Sequence, residues 1–332
     1  MKIGILYNLV DRIERGLEID KLSDNEIAET AGHVKKALEE EYEAIPVRIR
    51  GDVILHIKKD SFDFVFNLCE GVEGNVKGES WVPAILDLIG IPYTGSDSLT
   101  LGLCLDKIKT KQLLFANNIP TPRYQIFRDL SQTLNPKLGF PLIVKPANED
   151  ASVGITVDSV VEDRSSLFKM VEFILKNYRQ PALVEEYIDG RELNVAILGN
   201  GNSLEVLPIS EIRFDFDKKI PKILSYDAKW IPESEMFKKT VGVCPPAEKL
   251  PDAVEERIKK LAVAAYNITQ CRDYARVDFR LNGNLPYVLE VNPNPGINKD
   301  SGFVRSAIVS GLSYDELIRK ILSLAMKRRK MS

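Results

Sequence analysis

The stretches Asp273-Tyr274-Ala275-Arg276-Val277-Asp278-Phe279-Arg280 and Leu289-Glu290-Val291-Asn292-Pro293-Asn294-Pro295-Gly296 decide the reading of this chain. Each is a strand-like run, and turn residues close the second. Both runs end in hard oxygen ligands beside a turn. If the two runs pair, Asp278, Glu290 and Asn292 converge beside the fixed charge of Arg276. Hard oxygen ligands of this kind suit magnesium, which usually binds one or two carboxylates together with substrate phosphates. Manganese is admitted as a substitute. The pattern therefore predicts a phosphate-handling site with a nucleotide as co-ligand.

Upstream, strand and helix signals alternate. Strands are predicted at Lys2 to Tyr7, Ile45 to Arg50 and Phe62 to Leu68, with helices at Asp24 to Glu41 and Trp81 to Ile89, which makes an α/β unit. The turn-rich passage Gly90-Ile91-Pro92-Tyr93-Thr94-Gly95-Ser96 ends it. A second unit follows, with a helix from Lys107 to about Asn118, strands at Arg123 to Phe127 and Pro141 to Pro146, a helix at Arg164 to Asn177 and a strand at Ala182 to Tyr187. A third runs as a meander through Leu193 to Leu198, Ser203 to Ile212, a loop from Phe214 to Lys239 and the two opening stretches, before a helical end. The expected domains are 1–98, 99–189 and 190–332. A length of 332 residues agrees, because single cores are typically about 100 to 200 residues.

Composition excludes several function classes. A net charge of −3 gives no electrostatic case for nucleic acid or anionic lipid. No apolar run approaches the roughly 18 residues that span a membrane, and Met1 to Tyr7 reads as a strand, so a cytoplasmic location is expected. Cys69, Cys104, Cys244 and Cys271 form no CxxC pair and read as reduced core thiols. With His33 and His56 the only histidines, histidine acid/base chemistry is not expected. Neither a P-loop nor a GxGxxG motif is present, so the nucleotide must be held in another way. The small residues Ala151, Ser152 and Gly154, following Lys145, would let backbone N–H groups approach phosphates. Lys145 lies in an apolar strand and needs an anionic partner.

In order, Asp106-Lys107, Val144-Lys145-Pro146, Ala151-Ser152-Val153-Gly154, Glu185-Glu186-Tyr187-Ile188 with Glu192, Arg276-Val277-Asp278 and Glu290-Val291-Asn292 resemble the ATP-grasp superfamily. The closer likeness is to D-alanine:D-alanine ligases and covers nearly the whole chain. It implies a mixed α/β and α+β protein, an ATP-grasp fold with an N-terminal α/β (preATP-grasp) domain, and ATP held between two subdomains. In this likeness Lys107, Lys145 and Ser152 meet phosphates, Glu185, Glu186, Tyr187 and Ile188 line the adenine edge, and Glu192 meets the ribose. Asp278, Glu290 and Asn292 hold Mg2+. Arg276, Glu26, Lys229 and Ser301 take the catalytic and substrate roles, with Arg276 on the oxyanion, Glu26 on an amine and Ser301 on a carboxylate. The implied reaction joins two amino acids or similar small molecules through an acyl phosphate. A homodimer through first-domain helices also belongs to the likeness.

The substrate pocket departs from the family pattern. Ala151 stands at the loop-serine position and Trp230 at the tyrosine position after Ala228-Lys229, so the hydroxyl linkage to Glu26 is expected to be broken. The family's first-domain histidine is absent, and Glu70 is placed to meet a cation, while Lys299 offers a charge partner near Ser301. Three readings stay open: a ligase of altered substrate, a genuine D-alanine–D-alanine or D-alanine–D-lactate ligase, and a nucleotide-binding protein without turnover.

Overall fold

The computed structural model describes residues 1–10, 16–19, 26–217 and 219–331. The first unit holds β1 (Lys2–Asn8), α1 (Glu26–Leu38), β2 (Glu43–Ile49), α2 (Gly51–His56), β3 (Phe64–Asn67) and α3 (Gly78–Ile89). Its parallel sheet runs β2-β1-β3. Residues Ile3 to Leu6 are buried without alternation, as expected for a strand covered on both faces. Gly90 ends α3 at φ +74°, a left-handed cap that glycine adopts without steric cost. The predicted start of α1 at Asp24 lies outside the described residues, and α2 was not foreseen.

Next come α4 (Ser98–Leu105), α5 (Lys107–Ala116), β4 (Tyr124–Phe127), β5 (Leu142–Pro146), β6 (Val160–Val161), α6 (Arg164–Asn177) and β7 (Ala182–Glu186). Asp97, Asp106 and Asp163 cap their helices by accepting backbone N–H groups. The strands form an antiparallel sheet in the order β4-β7-β5-β6. Its core of Phe127, Leu142, Val144, Leu167, Val171, Ile174, Ala182 and Val184 is its own.

The remainder contains β8 (Arg191–Asn200), β9 (Ser203–Val206), β10 (Ser210–Phe214), α7 (Tyr226–Trp230), α8 (Glu235–Lys238), β11 (Thr240–Val243), α9 (Asp252–Ile268), β12 (Asp273–Asn282), β13 (Leu285–Asn292), α10 (Gly302–Val309) and α11 (Tyr314–Met331). The sheet runs β11-β10-β8-β12-β13, with β9 on the far half of β8. Two expectations are corrected here. The single strand Ser203 to Ile212 is two strands, because Pro208 lacks the N–H a continuous ladder needs. The stretch from Phe214 to Lys239 is not structureless, since it carries α7 and α8.

One core joins the first unit to the last: Ile3, Ile5, Val34 and Phe66 pack with Ala196, Leu198, Tyr274, Phe303, Leu317 and Ile321. Among the described residues no helix is long and apolar enough to cross a membrane. All four cysteines are free thiols, and three are buried.

Candidate active site

A cleft of about 720 Å³ opens where the sheets meet. Its floor is the third sheet. Asp278 lies opposite Glu290 and Asn194, and Arg276 opposite Asn292, so the two-residue period turns all five polar side chains to one face. A bulge at Leu289 in β13 sets Val288 opposite Phe279 in the core and leaves Leu289 beside Glu290 on the cleft. Asp278 Oδ1 accepts from Asn194 Nδ2 at 2.6 Å and Arg276 Nε at 2.7 Å, while Oδ2 accepts from Arg276 Nη2 at 2.8 Å and Asn292 Nδ2 at 2.9 Å. The paired fork fixes the guanidinium plane. Burial opposes the Arg276 charge, yet Asp278 raises its pKa, so it stays a cation.

The lysines close around this floor. Lys107 Nζ meets Asp150 at 3.0 Å and Glu290 at 3.6 Å, and also reaches the Glu149 carbonyl. Burial works against its ammonium, but Asp150 and Glu290 outweigh it and raise the pKa. Burial likewise works against the Glu290 carboxylate, and Lys107, Lys145, Arg276 and Lys229 together hold its pKa down. Lys145 Nζ lies 2.8 Å from Glu185, which supplies the anionic partner its strand position requires. Lys229 is stacked over the Trp230 ring at 4.7 Å, and burial, then Arg276, lowers its pKa.

Along the other wall, Glu186 accepts from Arg123 Nε at 2.8 Å, and Tyr187 Oη accepts from Lys222 N at 3.0 Å. Ile188 lines the cleft. Glu192 pairs with Arg280 at 2.7 Å, and burial raises its pKa. Glu185 also lines the cleft but is only 1 % exposed, with its two oxygens against Lys111 and Lys145.

At the amino-acid end, Glu26 Oε2 accepts from Asn298 Nδ2 at 3.1 Å; partial burial raises its pKa and Lys229 opposes the rise. Ser301 caps α10, its Oγ accepting from Val304 N. Glu70 lines the cleft, and its backbone N–H donates to Asn8 Oδ1 at 2.8 Å. Lys299 does not line it; the ammonium sits over the Tyr314 ring at 5.7 Å, away from Ser301's cleft face, so it is not the charge partner expected.

The hydroxyl linkage expected to be lost at Ala151 and Trp230 is absent, and a different contact joins the two segments. Glu26 does lack both hydroxyl partners, but the lid and loop remain joined because Trp230 Nε1 donates to the Ala151 backbone carbonyl at 2.8 Å. Ser152 Oγ donates to the Leu224 carbonyl at 2.8 Å, and Tyr226 N to Ile155 O at 2.8 Å. Ala151 and Ser152 both hold positive φ, 54° and 63°, which costs a residue with a Cβ roughly 1 kcal/mol or more each. The lid contacts hold that loop in place. Gly154 is required, because a Cβ there would stand 2.6 Å from Pro146.

Sequence reasoning missed Asn194 and Lys111. Asn194 faces Asp278 only through the register of β8 on β12, a long-range pairing that strand period does not announce. Among the described residues no three His, Cys, Asp or Glu side chains form a metal cluster. The candidate set is two carboxylates and an amide, all offering hard oxygen, which fits magnesium sharing its shell with phosphate.

Residues 113–323 match the family described as D-ala D-ala ligase C-terminus. An uncharacterized protein, y4sG, of Sinorhizobium fredii is 40% identical over 265 residues, covering 80% of this chain and 75% of that one. A D-alanine–D-alanine ligase of Desulforudis audaxviator is 31% identical over 291 residues, covering 86% of this chain and 89% of the relative. The crystal structure of D-alanine–D-alanine ligase from Bacillus anthracis complexed with ATP superposes with a TM-score of 0.77 at 28% identity, covering 100% of this chain and 99% of that one. With sequence match, fold and cleft geometry in agreement, the chain belongs to the D-alanine–D-alanine ligase family, ATP-grasp enzymes that form carbon–nitrogen bonds at the expense of ATP.

Proposed function

We propose that this enzyme joins two amino acids, or closely similar molecules, through an acyl phosphate. A carboxylate is a poor electrophile. Transfer of the γ-phosphoryl group of ATP to its oxygen breaks the bond to ADP and creates a leaving group. Attack by the amine of the second substrate then gives a tetrahedral intermediate, which collapses to the amide and phosphate.

The observation that carries this reading is the convergence of Arg276, Asp278, Glu290 and Asn292 on one sheet face with Lys107, Lys145 and Glu26 around the same cleft. Arg276, held flat by Asp278, suits stabilisation of the oxyanion. Lys107 and Lys145 orient and neutralise phosphates. Magnesium held by Asp278, Glu290 and Asn292 would offset charge on the transferring group. Glu26 takes the ammonium of an amino acid, and Ser301 the carboxylate of the other. Lys229 and Trp230 roof the site and keep water from the acyl phosphate. The substrates are small molecules, the cytoplasm is the expected location, and a homodimer remains part of the family likeness.

Genuine D-alanine–D-alanine ligation is the second reading, favoured by the names of the Desulforudis and Bacillus relatives. A D-lactate acceptor is its variant. Against it stand Ala151 and Trp230, which leave Glu26 with Asn298 as its side-chain partner. Phosphate release from ATP and magnesium should be measured with D- and L-amino acids and dipeptides, singly and in pairs, with mass spectrometry of products. An amide other than D-alanyl-D-alanine supports the first reading, and D-alanyl-D-alanine as dominant product the second. ATP binding with no turnover across the panel would favour a non-catalytic nucleotide-binding protein.

A further inference from the structure

α5 carries two buried lysines one turn apart, Lys107 and Lys111, and i,i+4 spacing puts them on one stripe. Lys107 faces the cleft. Lys111 does not line it and is 1 % exposed. Its Nζ lies 2.5 Å from Glu185 Oε1, donates to Thr121 Oγ1 at 2.6 Å, and sits over the Tyr124 ring at 5.4 Å. Glu185 is equally buried, and among the described residues its Oε1 has no partner besides the Lys111 ammonium. Oε2 contacts Lys145 at 2.8 Å, two positions along β5 from Ile143, which faces Glu185 in the ladder.

The three groups form a line from the interior to the cleft: ammonium, carboxylate, ammonium. A lone Glu185 beside Lys145 would cancel the charge that Lys145 presents to phosphate. We infer that Lys111 is a positioning residue for nucleotide binding: by balancing Glu185 from behind, it leaves Lys145 fixed in place and still net positive toward the phosphates. Burying a lysine is costly without an anionic partner, and placing one behind a carboxylate that itself holds a cleft lysine satisfies both charges together. The inference rests on the reading that the cleft takes ATP.

The test uses the full-length protein and titration calorimetry with two probes, ATP with magnesium and adenosine, alongside thermal melts. Lys111→Met should weaken ATP binding about tenfold or more, the scale of one unit charge at several ångströms in a partly buried site. Adenosine affinity should stay within about twofold, because no phosphate is present to feel the lost charge. Lys111→Arg, which keeps the charge, should bind ATP close to wild type. The double variant Lys111→Met, Glu185→Gln should recover most of the lost affinity, because Lys145 is then no longer neutralised. A merely structural role would lower the melting temperature without separating the two probes. Unchanged ATP affinity in Lys111→Met, an equal loss for ATP and adenosine, or a double variant as weak as the single one would each overturn the inference. Should Lys111→Met not fold, Lys111→Arg and the double variant decide it, since both keep the line of charges balanced. A wild-type protein that bound no ATP would overturn the ligase reading together with this inference.

Discussion

Asp278 accepts four hydrogen bonds from three side chains, and its removal should therefore act on chemistry through Arg276 as well as through any bound cation. Asp278→Asn is expected to lower turnover by at least about a hundredfold, the usual loss for a transition-state stabilising group. Phosphate release measures the loss, and a cooperative thermal melt checks that the fold is kept. Glu185 gives a pH signature. Burial opposes its ionised form, but Lys111 and Lys145 prevail and bring its pKa from the usual 4.5 down to about 2. Because the folded value is the lower one, this carboxylate contributes stability above about 4.5 that is lost as pH falls toward about 2. Urea midpoints over that window should fall less steeply for Glu185→Gln than for wild type. Arg276, Asp278, Glu290 and Asn292 were legible in sequence because two strand-like runs carry them to turns. Lys111 was not, since a lysine in a helix reads as solvated until the fold buries it, and Lys299 failed for the converse reason: its turn sends the side chain outward to Tyr314.

The lid and the loop after β5 act as a pair of elements. A strained turn at Ala151 and Ser152 is tied to the lid by the Trp230 indole N–H, by the turn's own Ser152 hydroxyl donating to Leu224 O, and by the Tyr226 backbone amide donating to Ile155 O. Trp230→Phe removes one neutral hydrogen bond, worth about 1 kcal/mol, and should lower the closed-to-open ratio about fivefold. The expected readout is uncoupling, a rise in phosphate released per amide formed. At this scale the sequence was legible where a period was strong. The edges of β2, β3 and α3 moved by a few residues, which is ordinary for element ends. α9 was passed over although Val254, Ile258, Ala262, Ala265 and Tyr266 recur at helical spacing and are buried. Its charged outer face and the long lid before it masked the signal. The Ala151 and Trp230 changes were visible, but the bond that rejoins them uses a backbone carbonyl, which no side-chain pattern announces.

Across the whole molecule, Asp273 is the tie between the ends of the chain. It is fully buried at φ +65° and accepts from Gly95 N at 2.8 Å, Asn200 Nδ2 at 2.9 Å and Arg328 Nη2 at 2.9 Å. Asp273→Ala leaves Arg328 without this carboxylate and should cost about 3 kcal/mol or more in a urea melt. Arg328, in the basic last turns of α11, also reaches back to Tyr93 O at 3.0 Å. The long-range fact behind such contacts, that the first and last units share Ile3, Phe66, Tyr274 and Leu317 in one core, is invisible to local pattern.

That shared core makes the molecule a vice with one fixed jaw. Glu26, Asp278 and Arg276, proposed for the amine, the metal and the oxyanion, sit in units that share one core, while the sheet β4-β7-β5-β6 packs on an interior of its own. Moving that sheet would part no common apolar core, and the Lys111–Glu185 contact joins α5 to β7. Nucleotide is then expected to load against a different part of the molecule from the amino acid. In amide hydrogen exchange, ATP should protect β5, β7 and the loop at 148–154 while leaving β1 and β12 as slow as before.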